Sequence, residues 1–515
     1  MLGPSSARLY AAAGAGPEGQ SARLESFLSR SRGRGKAGGA LFLFFPACAT
    51  EGAAGNALAL AGSEGRPRTG RRGIRMFDRY FGIGAAGSTP RTEVMAGITT
   101  FLTMAYIIFV NPQILAAAGM DTGAVFVATC LAAAYGSLVM GLYANYPVAL
   151  APGMGLNAFF AFVVVKSMGL SFAAALAGVF IAGLVFLVVS ATPAREWLIN
   201  AIPKSQKMAI AAGIGFFLGI IGLEAAGVVV AHPVTLVTSG KLASGSVLLA
   251  AAGFFVMVAL DRLGVPGAII IGILAVAVVG IAFAVPHADG KTITTFAGVF
   301  GPPPDPSPVF AKLDFAGLFK LAVPTLLIVL FSFFIVAFFD TAGTLVGVAH
   351  QAGMLDRDGK LPRLGRALIA DSSAMALGAV FGTSTTTSYI ESAAGIKAGG
   401  RTGLTAAVVG VLFLLALFFA PLAGAIPPYA TAPAILFVAC MMASPLAEID
   451  WRDPTEYAPA VVTALGMPLT YSIATGIGLG LITFVAVKLL SGRISQVSPA
   501  VLLIGAVFVL HFALT

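Results

Sequence analysis

Apolar windows bounded by charged residues or by Pro and Gly recur from residue 93 to the C-terminus, at 93–111, 123–145, 148–165, 171–192, 206–225, 244–260, 266–285, 320–345, 366–382, 384–397, 402–425, 430–446, 456–470, 472–490 and 499–514. Many reach the roughly twenty residues that an α-helix needs to cross a bilayer. Lys and Arg cluster between them: Arg195 with Lys204 and Lys207, Arg262, the group from Arg357 to Arg366, Lys397 with Arg401, Arg452, and Lys488 with Arg493. Loops rich in these residues stay cytoplasmic. Counting passes from a cytoplasmic N-terminus puts most of the clusters inside, provided that 456–490 is two spans turning near Pro468 to Ser472. The pattern predicts an all-α polytopic membrane protein of about fourteen spans. The 499–514 stretch either lies in the interface or makes an extra pass. The segment 286–319, with Pro302, Pro303, Pro304 and Pro306, reads as a long external loop between two halves.

An odd number of spans per half inserts the second half upside down relative to the first, the inverted-repeat logic of secondary transporters. Two features support a seven-plus-seven plan. The first span of each half ends in a polar break, at Asn111-Pro112 and at Asp340-Thr341. The third span of each half is short and opens with non-helical signals, YPVALAPGMGLNAFFAF (146–162) and FGTSTTTSYIESAAGI (381–396). Asn111 and Asn157 are 46 residues apart, Asp340 and Glu391 51 apart, a similar spacing that suggests a duplicated plan.

Composition agrees with the pattern. With 58% hydrophobic and only 10% charged residues, the 515-residue chain lies far from soluble enzymes, nucleic-acid binders and disulfide scaffolds. The net charge of +9 divides unevenly: residues 1–75 hold 11 Lys/Arg against 4 Asp/Glu, leaving 20 against 18 for the rest. No nucleic-acid partner is implied. The basic excess belongs to an Arg-, Gly-, Ala- and Ser-rich leader that cannot bury enough surface to fold. Residues 1–75 are read as a disordered cytoplasmic tail or as a stretch preceding the true start at Met76, with a targeting segment the weaker alternative. Cys48, Cys130 and Cys440 are far apart, and His232, His287, His350 and His511 form no helical pair, so neither a disulfide framework nor a metal site nor any cofactor is expected.

The candidate chemistry lies inside the spans. In VALAP, β-branched residues with Pro and Gly predict a brief extended stretch, and Gly153 and Gly155 open a short helix carrying Asn157; GTSTTTSY, with Thr386, does the same for Glu391. Irregular backbone at membrane depth is tolerated only where it lines a cavity or is buried in protein. Two half-helix N-termini there suit a flat, polar ligand. The bland alternative is that the small residues only allow close helix packing. A carboxyl group inside a span is costly and is a functional hypothesis by default. Asp340 and Glu391 lack Lys or Arg in their own helical turns, and each can accept a ligand N–H and carry a coupling proton. Asp371 reads as structural or capping, and Lys166 and Glu224 as span-end residues that snorkel. Phe159, Phe160, Phe338, Phe339 and Tyr389 accompany the site, for stacking on a heterocycle or for packing alone.

The motifs MFDRYFGI (76–83), NPQIL (111–115), APGMGLNAFFAF (151–162), FFDTAGTLVGVA (338–349), GTSTTTSYIESAAGIKAGGRTGL (382–404) and MPLTYSIATGIGLG (467–480) resemble, in this order, those of the adenine/guanine/hypoxanthine permeases, the AzgA-like branch of the nucleobase transporters. The resemblance covers residues 76–490. It implies the uracil-permease-like fold and plasma-membrane uptake of a purine base coupled to H⁺ rather than Na⁺. It also implies a core domain (91–192 and 320–425) moving against a gate domain (206–285 and 430–490), with 491–515 an apolar tail and a homodimer admitted. Carried onto matching positions, Asn157, Asp340 and Glu391 are the polar site residues, with Gly155, Phe159, Tyr389 and Thr386 beside them and Asp340 and Glu391 as proton carriers. In one departure, Ala337 stands where the family often has a second acid, which implies a shifted base preference or weakened transport. Rival readings keep the scaffold for xanthine, uracil or a small anion; a membrane enzyme or a channel is more remote.

Overall fold

The computed structural model describes residues 78–192, 203–287, 294, 296, 298–351 and 361–514; the leader, the side chain of Phe339 and that of His350 lie outside the described residues. Every window carries a helix, or a strand followed by a short helix. The first half comprises α1 (Pro90–Met104), α2 (Ile107–Ala116), α3 (Thr122–Val139), β1 (Leu150–Pro152), α4 (Met154–Ala158), α5 (Phe172–Ala191), α6 (Lys204–Ala225), β2 (Val229–His232), β3 (Leu236–Ser239), α7 (Gly245–Arg262) and α8 (Ala268–Ala282). The second comprises α9 (Phe315–Leu318), α10 (Val323–Gln351), α11 (Leu364–Phe381), β4 (Thr386–Ser388), α12 (Ser392–Lys397), α13 (Gly403–Ala416), α14 (Pro428–Ala443), α15 (Pro454–Leu469), α16 (Ile473–Leu490) and α17 (Pro499–Leu514). Among the described residues, ten helices are long and apolar enough to cross a membrane.

The punctuation between windows acts as helix caps. Thr89, Asp121, Ser171, Asp453 and Ser472 each accept a hydrogen bond from a backbone N–H of the first turn that would otherwise be unpaired. The two halves meet at their extended segments. β1 pairs antiparallel with β4, Leu150 opposite Ser388, Ala151 opposite Thr387 and Pro152 opposite Thr386, so equivalent pieces of the two repeats face each other about Ala151 and Thr387. Helices α6, α7, α8, α14, α15 and α16 pack chiefly on one another, as do α1, α3, α5, α11 and α13 around the strand pair.

Several expectations are corrected. Neither Asn111-Pro112 nor Asp340-Thr341 ends a span: α2 runs through Pro112 to Ala116, and α10 runs through Asp340. Pro112 lacks an N–H for the turn before it, and the helix gives way upstream at Ala105 and Tyr106, where Ile108 N–H bonds Ala105 O and Phe109 N–H bonds Tyr106 O three residues back. Asp340 and Thr341 stay helical because partners on other elements take up their polarity. Within 384–397 the chain is a three-residue strand, a turn and a six-residue helix. The described part of 286–319 is mostly irregular, as a loop between the halves would be, and is tied to the helices: Ala311 N–H bonds Val380 O, Asp314 N–H bonds Ala173 O, and Val309 is fully buried. An exposed hairpin, β2 with β3, also stands between α6 and α7, where no strand was expected. The 499–514 stretch is the helix α17, packed on α16.

Candidate functional site

The strand pair solves the problem of backbone at membrane depth. Its ladder is extended at both ends, by Gly153 N–H on Thr385 O (2.8 Å) and Tyr389 N–H on Ala149 O (3.0 Å). Ser137 Oγ accepts from Leu150 N–H (3.0 Å), and Ser392 Oγ accepts from Ala149 N–H (3.0 Å). With its backbone satisfied, the irregular segment is stable in the apolar interior and carries its side chains between the two half-helices.

One group of side chains is neutral. Asn157, fully buried, donates through Nδ2 to Asn111 Oδ1 (2.5 Å) and accepts at Oδ1 from the Ser384 hydroxyl. Asn111 Nδ2 in turn reaches Thr129 Oγ1 (2.7 Å) and Thr383 Oγ1 (2.9 Å). Both ends of the Asn157 amide are thus engaged by protein, and α4 is pinned to α2 and to the chain leading into β4.

The other group is acidic. Asp340 Oδ2 accepts from Thr387 Oγ1 (3.2 Å). The next residue, Thr341, donates to Asp371 Oδ2 (2.6 Å), and Ser388, next to Thr387, donates to Asp371 Oδ1 (2.8 Å). Two successive residues of α10 are therefore bridged to two successive residues of β4, with the buried Asp371 carboxyl between them. Glu391 is the cap residue of α12, 8% exposed, and its Oε1 accepts from Tyr106 Oη (2.6 Å). Tyr389 Oη donates to Pro152 O (2.5 Å) and holds β1 beside it. Among the described residues, the ion pairs are Lys204–Glu448, Lys488–Glu456 and Arg493–Asp453. None reaches the three acids, whose side-chain partners are hydroxyl donors. Among the described residues no His, Cys, Asp and Glu gather as a metal site would require.

The strand pair thus brings Asp340, Glu391, Tyr389 and Thr386 together. Thr386 is buried in the ladder opposite Pro152. Phe159 packs edge-on against Phe333 of α10, ring centroids 5.1 Å apart, and Phe160 lies 6.5 Å from the same ring. Ala337 is fully buried on α10. Gly155 is where α4 meets α6, since a Cβ there would lie 2.2 Å from Ile214 Cγ2. Gly155→Leu is expected to wedge the two helices apart and lower stability by about 1–3 kcal/mol, read as a lower melting temperature in detergent; Ile214→Ala should restore much of it, and unchanged melting of Gly155→Leu would disprove the contact.

Tyr106, Ser384 and Thr387 were missed; Asp371, read as structural or capping, is the acid that braces α10 to β4. Asp371 carried the one usable signal, an acid within a span, and the hydroxyl-rich GTSTTTS run hinted at partners for it. Glu224, read as snorkelling, accepts from Tyr471 Oη (2.9 Å).

Residues 91–512 match the model of a family described as "Permease family", so the match takes in α17. The chain is 47% identical over 438 residues to the adenine permease AdeP of Escherichia coli, covering 85% of this chain and 96% of that one. It is also 47% identical over 444 residues to the guanine/hypoxanthine permease PbuG of Bacillus subtilis, covering 84% and 98%. Among solved structures, the transmembrane domain of the cyanobacterial bicarbonate transporter BicA superposes with a TM-score of 0.54 at 15% identity, covering 78% of this chain and 96% of that one. The anion transporter SLC26A9 gives 0.54 at 13% identity, covering 82% and 69%. At such identity these neighbours speak to the fold alone.

Proposed function

Since this chain belongs to the permease family, among nucleobase permeases whose relatives carry adenine or guanine and hypoxanthine, we propose that it imports purine bases together with a proton. It is a multi-pass membrane transporter and not an enzyme, on the inverted-repeat fold that its motifs implied. The observation that carries the reading is the set of acids, Asp340 and Glu391 above all, whose side-chain partners are hydroxyls and not cations, beside two broken spans. An uncompensated carboxyl at that depth is retained for what it binds.

In this reading a neutral base lies between the half-helices. Glu391 accepts a ring N–H, Tyr389 flanks the base, and Asn157, Gly155, Thr386 and Phe159 fix the walls. A proton on Asp340 or Glu391 and the base each raise the other's affinity by the same factor, which is the coupling a symporter needs. The core built on α1–α5 and α10–α13 then moves against the gate of α6–α8 and α14–α16, along the seam crossed by Gly155 and Ile214. The basic clusters support a cytoplasmic N-terminus in the plasma membrane.

The test is uptake of labelled adenine, guanine and hypoxanthine into cells lacking their own purine permeases, at two external pH values, with and without a protonophore. Accumulation of at least one base is expected, stronger at the lower pH and lost with the protonophore. Accumulation indifferent to the protonophore would remove the proton, and no uptake by protein shown to be in the membrane would remove the purine.

A further inference from the structure

Tyr106 stands at the break between α1 and α2, in an apolar run that gives its hydroxyl no local purpose. The break turns the phenol onto Glu391, and Tyr106 is only 1% exposed. Neighbouring contacts fix the distance. Val110 N–H bonds Tyr106 O (3.0 Å), and Thr103 Oγ1 donates to Glu391 O (3.4 Å). Gly395 lets α12 lie flush on α1, since a Cβ there would meet Ala96 O at 2.6 Å. These contacts hold the backbones that carry the phenol and the carboxyl beside each other.

A phenol reaches a carboxylate only as a donor, so Oε1 of Glu391 already carries one hydrogen bond before any ligand arrives. This bears on purine chemistry. Guanine and hypoxanthine share the N1–H and C6 carbonyl edge and differ in one group, the 2-amino group of guanine beside N1–H. A carboxylate with both oxygens free receives N1–H and the amino N–H side by side, as it receives the two donors of a guanidinium. A carboxylate oxygen that already accepts from a phenol keeps a second lone pair but is the weaker acceptor for another donor, so the pair of donors gains less there than on two free oxygens.

We propose that Tyr106 is a specificity-determining residue, which engages Oε1 of Glu391 and so weakens the bidentate contact that a 2-aminopurine would make with this carboxylate. The proposal rests on the reading above that Glu391 receives a ring N–H of the base. Tyr106→Phe keeps the ring and its packing but frees Oε1, which then lacks a donor unless the ligand brings one. Hypoxanthine binding should weaken and guanine binding hold or strengthen.

The experiment is competition of labelled hypoxanthine by unlabelled guanine and hypoxanthine on purified full-length protein, wild type against Tyr106→Phe. The guanine-to-hypoxanthine affinity ratio should move toward guanine by roughly tenfold, the worth of one charge-assisted hydrogen bond. An unchanged ratio, with both affinities falling together, would reduce Tyr106 to packing and overturn the proposal. Wild type that binds adenine but neither of these bases would overturn the proposal, and wild type that binds none of the three would instead fail the purine reading itself. Should the variant not fold, wild type alone decides: the two bases should bind within about threefold of each other, and a tenfold preference for guanine overturns the proposal.

Discussion

Glu391→Gln is expected to abolish accumulation of purine bases, lowering the steady-state ratio of internal to external base to near unity, while the protein stays folded in the membrane. Gln matches Glu in shape, and its carbonyl oxygen still accepts from Tyr106 Oη, which bonds Glu391 Oε1 at 2.6 Å in the wild type. The turn into α12 and the strand pair are therefore retained. Two properties are lost: the site can no longer take and release a proton there, and a neutral amide replaces a charged acceptor, whose hydrogen bonds are worth about 1.5–3 kcal/mol against about 1 for a neutral one. The first loss removes coupling and the second weakens binding, so net uptake should fall by about a hundredfold. Labelled hypoxanthine uptake, with membrane abundance measured in parallel, decides the matter. Full accumulation by Glu391→Gln would show that the coupling proton is not carried by this carboxyl and that its charge is not needed for the base, and attention would pass to Asp340.

The spans and the two strand-to-helix breaks were legible because a bilayer imposes length and apolarity on every crossing, so interruptions by Gly, Pro and Thr stand out. Asp340 and Glu391 were legible for the same reason, as acids where acids are rare. Their partners were not. Tyr106 meets Glu391 across 285 residues and Asn111 meets Thr383 across 272, and such pairs leave no local period. In MAYIIFV a tyrosine that positions a carboxyl looks like one that packs. The break in the first span was misplaced because the chain yields upstream of Pro112, not at it. Asn157 was legible as a polar residue on a half-helix, yet its role as a strut depended on Asn111 and Ser384 arriving from elsewhere.

Lys488 is a further case, read from the sequence as one of the charges that orient the chain, and it carries the second large effect. The structure buries it, with 1% of its side chain exposed, at the end of α16. Its Nζ lies 2.6 Å from Glu456 Oε1 and 2.7 Å from Gln496 Oε1, while Glu456 Oε2 accepts from Ser205 Oγ at 2.5 Å. The starts of α6 and α15, the end of α16 and the turn before α17 are thus tied through one ion pair. Glu456→Ala would leave a buried ammonium with one neutral acceptor and a severed link to Ser205, a loss of about 3–5 kcal/mol. A melting temperature in detergent well below wild type is expected, with little protein recovered. Removing both charges should cost far less, because much of a buried pair's attraction only offsets the desolvation of its two charges. The double variant Glu456→Leu with Lys488→Met is therefore expected to melt near wild type and, if the pair serves only to keep these helices moving as one body, to transport. Glu456→Ala melting with wild type would show that the ammonium finds water or another acceptor. A stable double variant that no longer transports would instead place the ion pair in the transport cycle itself.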